Sequence, residues 1–392
     1  MKYDLSKHPY FEAYTDPETG VTSYLLKERV GEQQMNFYFT NSGMTQDGEY
    51  LWFQALNWPA EISTLAAVSM NPEKPGLRHF PAAGFSGGGN LPVVMPGSHD
   101  VLFGVRESIY KVSPDGKITK VLSLDPDFLN NRIPTRLMTH GSISCDARRI
   151  ILDIRMADKT YIATGDLETG EVTMVHKFAR HYDHAMYAPN DPNLILIDQD
   201  WERDSMTGER FDVDARMWLM DLRGTRFEPV LPGNWFRHNG SIICHDFWSK
   251  DGWLCWPDLL DRVYEHNPAT RETNPVWNRA ACHAHTIDRR YWVCDDSPYK
   301  WGKRPCKVVF FDRESGKELD IFSALPVPNC PKSAVFHLEP HPSFTDDGEY
   351  IVSMTTVRDG RVDLAVTPVE PLISMCRERG IYAGPDAQPG KD

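Results

Sequence analysis

Three side chains that can bind a metal ion lie close together in the stretch FHLEPHPSF, residues 336–344. Side chains two residues apart on an extended strand point to the same face, so His337, Glu339 and His341 are predicted to share one side of a strand. Imidazole nitrogens together with a carboxylate suit Mn²⁺, Ca²⁺, Fe²⁺ or Zn²⁺, and this donor set discriminates little among them. A purely structural alternative is that Glu339 pairs with an arginine.

Histidines also recur at one position of a repeated sequence pattern, close to a turn that follows a short strand. Counting back six residues from the turn residue reaches a histidine in four copies of the pattern, and a fifth histidine stands in the corresponding place of a copy with a shorter turn. These five are His140, His184, His245, His341 and, in the shorter copy, His285. One such histidine is explained by a hydrogen bond to a neighbouring repeat, whereas five converging imidazoles suit metal binding or proton transfer. We therefore predict a metal site formed by His285, His341, Glu339 and His337.

The repeated pattern predicts a fold made of four-stranded units. Each copy has a polar or histidine-bearing residue, a short strand, a turn rich in Asp, Gly or Asn, and an apolar strand. Copies occur at 40–53, 80–95, 138–154, 183–197, 244–256, 283–295 and 339–354. Further hairpins with Asp-Gly or Thr-Gly turns lie between the copies, which makes two hairpins per unit. Such units are typical of a β-propeller, whose innermost strands line a central channel.

The number of copies sets the predicted architecture. Seven copies predict an all-β, seven-bladed β-propeller over residues 1–392 as a single domain. The short C-terminal tail from about residue 371 is predicted to form one short helix that straps an edge of the fold. Histidines at the same repeat position are then expected to converge at one end of the channel.

Composition excludes several classes of function. The net charge is -13 and no block of lysine or arginine is present, so a nucleic-acid groove is not expected, and an anionic ligand would need local arginines. Neither a secretory signal nor a membrane span is recognisable, and we predict a cytoplasmic location without membrane association. Eight cysteines without a CxxC pair predict buried thiols rather than a zinc ribbon or a disulfide scaffold.

Three arginines are candidates for binding an anion. Arg155 closes a predicted strand, Arg216 lies beside the strand-forming MWLM, and Arg237 follows two aromatic residues. A buried arginine needs an anion to offset its desolvation, and for Arg155 and Arg216 that anion is equally well a protein carboxylate or a ligand. Together with His140 and His184, Arg155 and Arg237 are the predicted substrate-binding residues.

At DARMWL (214–219), CHDFW (244–248), ACHAH (281–285) and PHPSFTDDG (340–348), the sequence resembles the oligogalacturonate lyases, which are cytoplasmic seven-bladed propellers of pectin breakdown. The resemblance runs from about the third blade to residue 370 and is weak in the first two blades. In that family a Mn²⁺-type ion is held by histidines and a glutamine of the last two blades.

The resemblance implies roles for individual residues. His285 and His341 would be metal ligands, His245 the catalytic histidine, and Arg216 the arginine that assists at the uronate. The family has a second histidine where this chain has Glu339, and its glutamine position falls on Phe336. Glu339 with His337 is then expected to compensate for these exchanges.

The chemistry implied is β-elimination from a short, anionic oligosaccharide that contains a uronic acid linked through oxygen 4. A metal-bound carboxylate acidifies the hydrogen on carbon 5, a neutral histidine is suited to remove it, and Arg216 and Arg155 would neutralise carboxylate charge. Because of Glu339, glucuronate-containing substrates are an alternative to galacturonate, and either His245 or Arg216 is compatible with proton removal. A hydrolase or epimerase that uses the same ion, and a non-catalytic propeller that binds sugars or proteins, remain alternatives. The sequence indicates no oligomeric state.

Overall fold

The structure, a computed structural model, describes residues 2–60, 62–86, 90–199, 202–203, 207–211, 213, 215–231, 242–296, 305–329 and 338–387. Within these ranges the chain forms a 3-10 helix (Leu5–Lys7), two α-helices and many short antiparallel strands. The helices are α1 (Pro126–Leu129) and α2 (Val369–Arg379). Neither of them combines the length and the apolar composition that crossing a membrane requires. The all-β prediction is confirmed.

Contacts divide the chain into two compact units, Met1–Pro81 with Cys244–Asp392, called the terminal unit below, and Ala82–Ile243, called the central unit. The first sheet of the terminal unit joins both ends of the chain: β1 (Phe11–Thr15), β2 (Thr22–Leu26), β30 (Asp363–Pro368), β29 (Tyr350–Thr355) and β28 (Ser343–Phe344). A second sheet contains β3 (Gln33–Met35), β4 (Tyr50–Leu56), β5 (Ser63–Ser69) and β6 (Leu77–Phe85). The single domain over 1–392 stays a prediction.

Two more sheets of the terminal unit carry the CHDFW and ACHAH motifs. One contains β20 (Phe247–Trp248), β21 (Leu254–Pro257), β22 (Val263–His266) and β23 (Thr273–Trp277). The other contains β24 (Ala281–His285), β25 (Tyr291–Asp296), β26 (Cys306–Asp312), β27 (Lys317–Leu325) and β31 (Ile381–Tyr382). The tail thus forms helix α2 and then adds β31 to the edge of a sheet, as the sequence predicted.

The central unit has three sheets and one separate ribbon. The first sheet contains β7 (Val93–Val94), β8 (Val101–Val105), β9 (Ser108–Val112) and β10 (Ile118–Ser123). The second contains β11 (Arg149–Met156), β12 (Lys159–Asp166) and β13 (Val172–Phe178), and an isolated bridge from Ile143 to Ile150 stands where a fourth strand would lie. The third contains β14 (Asp183–Ala188), β15 (Asp191–Asp198), β18 (Met217–Asp221) and β19 (Phe227–Pro229). The ribbon pairs β16 (Glu202–Arg203) with β17 (Arg210–Phe211).

The recurring turn aspartates have a structural reason. In four repeats a Ser or Thr hydroxyl donates a hydrogen bond to the aspartate two residues later, at 2.5 to 2.7 Å. The pairs are Thr45–Asp47, Ser144–Asp146, Ser249–Asp251 and Thr345–Asp347. Asp and Ser side chains that bond locally in this way favour turns over continued strands. The first strand of each of these hairpins therefore ends at a fixed place, which fixes the position of the residue six before the aspartate, a histidine in three of these repeats and Asn41 in the first.

The core lies between sheets whose strands are buried on both faces. Every residue of β29 and β30 is buried, and large aromatic side chains such as Trp277, Trp292 and Phe310 have almost no exposed surface. Six of the described cysteines are buried and free, and Cys145 is exposed. The predicted buried thiols are confirmed for these residues.

Candidate functional site

Three of the repeat histidines have an unusual backbone conformation. The φ angles of His184, His245 and His341 are +54°, +50° and +46°. A residue with a side chain in this left-handed region costs on the order of 1–3 kcal/mol and persists where its surroundings hold it there. The chain turns sharply at these histidines as it enters the first strand of each sheet, so the direction of each side chain is fixed.

A β-bulge in β24 brings two neighbouring side chains together. Ala281 pairs with Asp296, while Ala284 pairs with Cys294, so β24 has one more residue than β25 over this interval. On a regular strand Cys282 and His283 would point to opposite faces, but a bulge re-aims side chains. The Sγ atom of Cys282 lies 3.9 Å from Nε2 of His283.

The centre of the site is a group of three imidazoles in the terminal unit, called the imidazole group below: His245, His283 and His341. The ring centroids of His245 and His283 are 4.1 Å apart, and those of His283 and His341 are 4.2 Å apart. The Tyr38 ring lies 5.0 Å from His341 and 5.6 Å from His283. His283 and His341 are buried, and His245 is half-buried.

Asp295 positions two members of the imidazole group. Its Oδ2 atom lies 2.9 Å from Nδ1 of His283 and accepts the backbone N–H of His341 at 3.2 Å, while its Oδ1 accepts the backbone N–H of His283 at 2.8 Å. An ionised carboxylate only accepts hydrogen bonds, so Nδ1 of His283 carries the proton and Nε2 keeps a lone pair. This carboxylate–histidine pairing is the usual support of a metal-binding imidazole.

His245 has its tautomer fixed in a similar way. Its Nδ1 lies 2.6 Å from the carbonyl oxygen of Cys282, which accepts hydrogen bonds only. Nδ1 therefore donates, and Nε2 of His245 keeps a lone pair that can bind a metal or take up a proton.

A carboxylate and a thiol complete the surroundings of the imidazole group. Glu339 is half-buried and precedes His341 by two residues. Burial, followed by the negative charges of nearby groups that include Asp295 and Glu339, raises the pKa of the Cys282 thiol well above its usual value. Cys282, His245 and His283 each offer one donor atom, and these three atoms lie within 4.8 Å of one another.

His285, the predicted metal ligand at the end of β24, has different neighbours from the imidazole group. Its ring stacks on Phe247 at 5.4 Å and lies 6.1 Å from Phe344, whose backbone N–H donates to Nδ1 of His285 at 3.1 Å. Burial lowers the pKa of His285 to about 3. The structure therefore brings His283, and not His285, into ring contact with His341. The motif ACHAH offers both histidines, and counting from a shortened turn does not reveal the bulge that selects His283.

A second polar group lies in the central unit, where His140 and His184 have ring centroids 4.9 Å apart. Nδ1 of His184 lies 2.7 Å from Oδ1 of buried Asp183. Burial, followed by the positive charge of His184, lowers the pKa of His140 well below its usual value. Burial alone would raise the pKa of Asp183, but His184 and Arg136 lower it. His140 is thus neutral and Asp183 ionised near pH 7.

The two predicted arginines of the central unit differ in their partners. Arg216 is buried and its Nη2 lies 2.8 Å from Oδ2 of buried Asp198, so one of the two roles that the sequence allowed, a structural ion pair, is present. Arg155 is half-buried, and burial followed by the charge of Arg136 lowers its pKa. Within the described residues the Arg155 guanidinium has no carboxylate within 4.0 Å, which leaves its charge available to an anion. Arg237, His337 and Phe336 lie outside the described residues.

No family model matches this chain. A segment of 218 residues, 52% of the chain, is 26% identical to the oligogalacturonate lyase of Dickeya dadantii (strain 3937) and covers 54% of that protein. The chain therefore spans about half the length of this curated relative.

Two solved structures are similar over nearly the whole chain. An oligogalacturonate lyase in complex with manganese has a TM-score of 0.71 and 18% identity, covering 91% of this chain and 96% of its own. An oligogalacturonate lyase from Vibrio parahaemolyticus has a TM-score of 0.70 and 16% identity, covering 92% and 96%. At these identities the likeness establishes the fold, and seven sheets match the predicted number of blades. The second predicted copy, 80–95, is misplaced, because it spans β6 of one sheet and β7 of another. The chain is a seven-bladed β-propeller that resembles the oligogalacturonate lyases in sequence and in fold.

Proposed function

We propose that this protein is a metal-dependent lyase that cleaves short uronate-containing oligosaccharides by β-elimination and leaves a 4,5-unsaturated uronate. The observation that carries the proposal is the imidazole group, in which Asp295 and the Cys282 carbonyl leave lone pairs on Nε2 of His283 and His245. Non-catalytic propellers have no need of buried imidazoles with fixed tautomers beside a carboxylate. The similarity to an oligogalacturonate lyase supports the same reaction class.

The residues present fit a divalent metal ion. Imidazoles, one of them backed by the buried carboxylate of Asp295, and the Glu339 carboxylate form a mixed nitrogen and oxygen donor set. We propose His341 and Glu339 as ligands, as the sequence predicts, and His283 in the place predicted for His285, because His283 has the ring contact with His341. Manganese, which a structural relative contains, is the first ion to test, and Ca²⁺, Zn²⁺ and Fe²⁺ follow.

The reaction needs a base at carbon 5 and a way to hold the uronate carboxylate. When bound, the ion would act as a Lewis acid that withdraws charge from this carboxylate. His245 is the proposed base: its Nε2 takes the proton from carbon 5, and Nδ1–H keeps its bond to the Cys282 carbonyl, which stabilises the resulting imidazolium. The bond from carbon 4 to the leaving oxygen then breaks, the electron pair of the broken C–H bond forms the 4,5 double bond, and the leaving oxygen keeps the C–O electron pair and takes up a proton from water.

The proposed contacts to the anionic substrate are the residues that the sequence predicts. Arg155 has no ion pair with a described residue, so we propose that it binds a substrate carboxylate. Arg216 pairs with Asp198, and we propose that it assists at the uronate, as the resemblance to the oligogalacturonate lyases implies. Neutral His140 and the neighbouring His184 would hydrogen-bond sugar hydroxyls, and Arg237 stays a predicted contact.

The test is incubation of the purified protein with oligogalacturonides or glucuronate-containing oligosaccharides, with Mn²⁺ or with a chelator, while the ultraviolet absorbance of the unsaturated product is followed. A metal-dependent rise on one substrate supports the proposal and identifies the sugar. No rise on any substrate, with metal bound, would refute lyase activity. Mass analysis of the products then distinguishes hydrolysis or epimerisation from binding alone.

A further inference from the structure

Cys282 lies beside the imidazole group, and the sequence predicts only a buried thiol for it. Its Sγ lies 3.9 Å from Nε2 of His283 and 3.9 Å from Nδ1 of His245. This inference rests on the proposed function: we propose that Cys282 is a ligand of the metal, which displaces the thiol proton on binding, and that the site prefers a thiophilic ion such as Zn²⁺ or Co²⁺ over Mn²⁺.

The distance between Sγ of Cys282 and Nε2 of His283 is close to that of a tetrahedral site. With a Zn–S bond of about 2.3 Å and a Zn–N bond of about 2.0–2.1 Å, the tetrahedral angle places sulfur and nitrogen about 3.6 Å apart. The observed 3.9 Å between Cys282 and His283 differs from this by a few tenths of an ångström, which small side-chain rotations supply. His283 already presents the required lone pair, because Asp295 holds its other nitrogen.

The bulge in β24 gives a reason for regarding this arrangement as built. A simple buried thiol needs only apolar neighbours and can occupy any inward position of a strand. Here an extra residue in the strand turns Cys282 and His283 toward each other, and the Cys282 carbonyl at the same bulge accepts the hydrogen bond from His245. This bulge thus positions the Cys282 thiol, the His283 imidazole and the carbonyl group that accepts the hydrogen bond from His245.

The thiol changes the expected selectivity. Nitrogen and carboxylate donors alone discriminate little between Mn²⁺ and Zn²⁺, whereas a thiolate is a soft ligand that favours Zn²⁺ and disfavours Mn²⁺. His283, His341 and Glu339 supply the remaining proposed donors. Nε2 of His245 has a lone pair suited to either metal binding or proton transfer, and the proposed function assigns it to proton removal.

The first test is titration of the metal-free protein with Co²⁺, which reports sulfur ligation through a near-ultraviolet charge-transfer band. We expect this band in the wild type and in the control Cys145→Ser, which removes an exposed thiol of the central unit. In Cys282→Ser the band disappears and Zn²⁺ affinity falls by about 100-fold or more. Loss of a direct ligand should weaken binding at least as much as loss of a residue that only supports a ligand, which costs about 10–100-fold. Circular dichroism and thermal unfolding establish that the variant is folded.

The second test needs no variant: X-ray absorption of the Zn²⁺-loaded wild type should show a sulfur neighbour at about 2.3 Å. Stoichiometric Co²⁺ or Zn²⁺ binding without a charge-transfer band and without sulfur scattering would overturn the inference, as would failure to bind either ion. The lyase proposal is tested separately. Sulfur ligation without product formation refutes the lyase and keeps Cys282 as a ligand, while product formation with Mn²⁺ and no sulfur ligation does the reverse.

Discussion

Replacement of Asp295 by asparagine tests whether the imidazole group is organised to bind metal. Asp295 is completely buried, and its two oxygens accept three hydrogen bonds, from the backbone and Nδ1 of His283 and from the backbone of His341. Asparagine keeps the size and shape but offers one oxygen and one NH₂ group. One donor then faces the NH₂ group if it replaces Oδ1, and two donors face it if it replaces Oδ2.

Both orientations of the new amide weaken metal binding. If its NH₂ faces Nδ1 of His283, the ring accepts a hydrogen bond there only by moving its proton to Nε2, which removes the lone pair that the metal needs. If its NH₂ faces the backbone N–H of His283, two donors confront each other in a buried place, at a cost of about 1–3 kcal/mol. Loss of such a supporting carboxylate typically weakens metal affinity by about 10–100-fold, or about 1.4–2.7 kcal/mol of binding free energy.

The assay is a competitive metal titration against a chromophoric chelator, with Mn²⁺ and with Zn²⁺. The control is Asp312→Asn in the same unit, which replaces another buried aspartate, bonded to Arg377 at 2.7 Å. We expect the control to lower the free energy of unfolding and leave metal affinity within about twofold of the wild type. If Asp295→Asn also binds metal within about twofold of the wild type, Asp295 does not prepare a metal ligand and the reasoning about tautomers is wrong.

Three further predictions concern activity and stability. His245→Asn should lower kcat by about 10²–10⁴-fold, the usual contribution of a general base, while metal content measured by mass spectrometry is unchanged; equal loss of metal would assign His245 to binding instead. Arg155→Gln should raise KM by about 10–100-fold, which corresponds to the loss of a charged hydrogen bond, and exposed Arg148→Gln should not raise it. Equal KM values for the two variants would show that Arg155 does not bind the substrate. The pKa of half-buried His285 is about 3, so its imidazole binds a proton more tightly in the unfolded chain, where the pKa is about 6.5. The free energy of unfolding should therefore fall as pH drops from 6.5 to 3, by at most about 1.4 kcal/mol per pH unit for this histidine. In His285→Gln, the free energy of unfolding from denaturant titrations should change less steeply with pH. An unchanged pH dependence would contradict the assigned pKa.

Local sequence signals predicted the architecture well because each propeller blade repeats one pattern. The Ser or Thr that bonds the turn aspartate two residues later recurs with the histidine or asparagine ahead of it, so a repeat search finds the hairpins without tertiary information. The C-terminal helix was likewise visible, although its start at Val369 precedes the predicted tail by two residues. These features depend on neighbours in the chain.

The imidazole group was only partly predictable, because its membership depends on strand register. Counting back from the turns identified His245 and His341, and both residues have a left-handed backbone conformation. In the ACHAH motif the count from the shortened turn selects His285, whereas in the structure His283 contacts the ring of His341 and one extra residue interrupts the strand between Ala281 and Ala284. A bulge leaves no mark in composition or hydrophobic period, since the pairing of β24 with β25 defines it. Cys282 was interpreted as a buried thiol because the cysteines have no CxxC spacing, and its approach to His283 at the bulge depends on the pairing of β24 with β25.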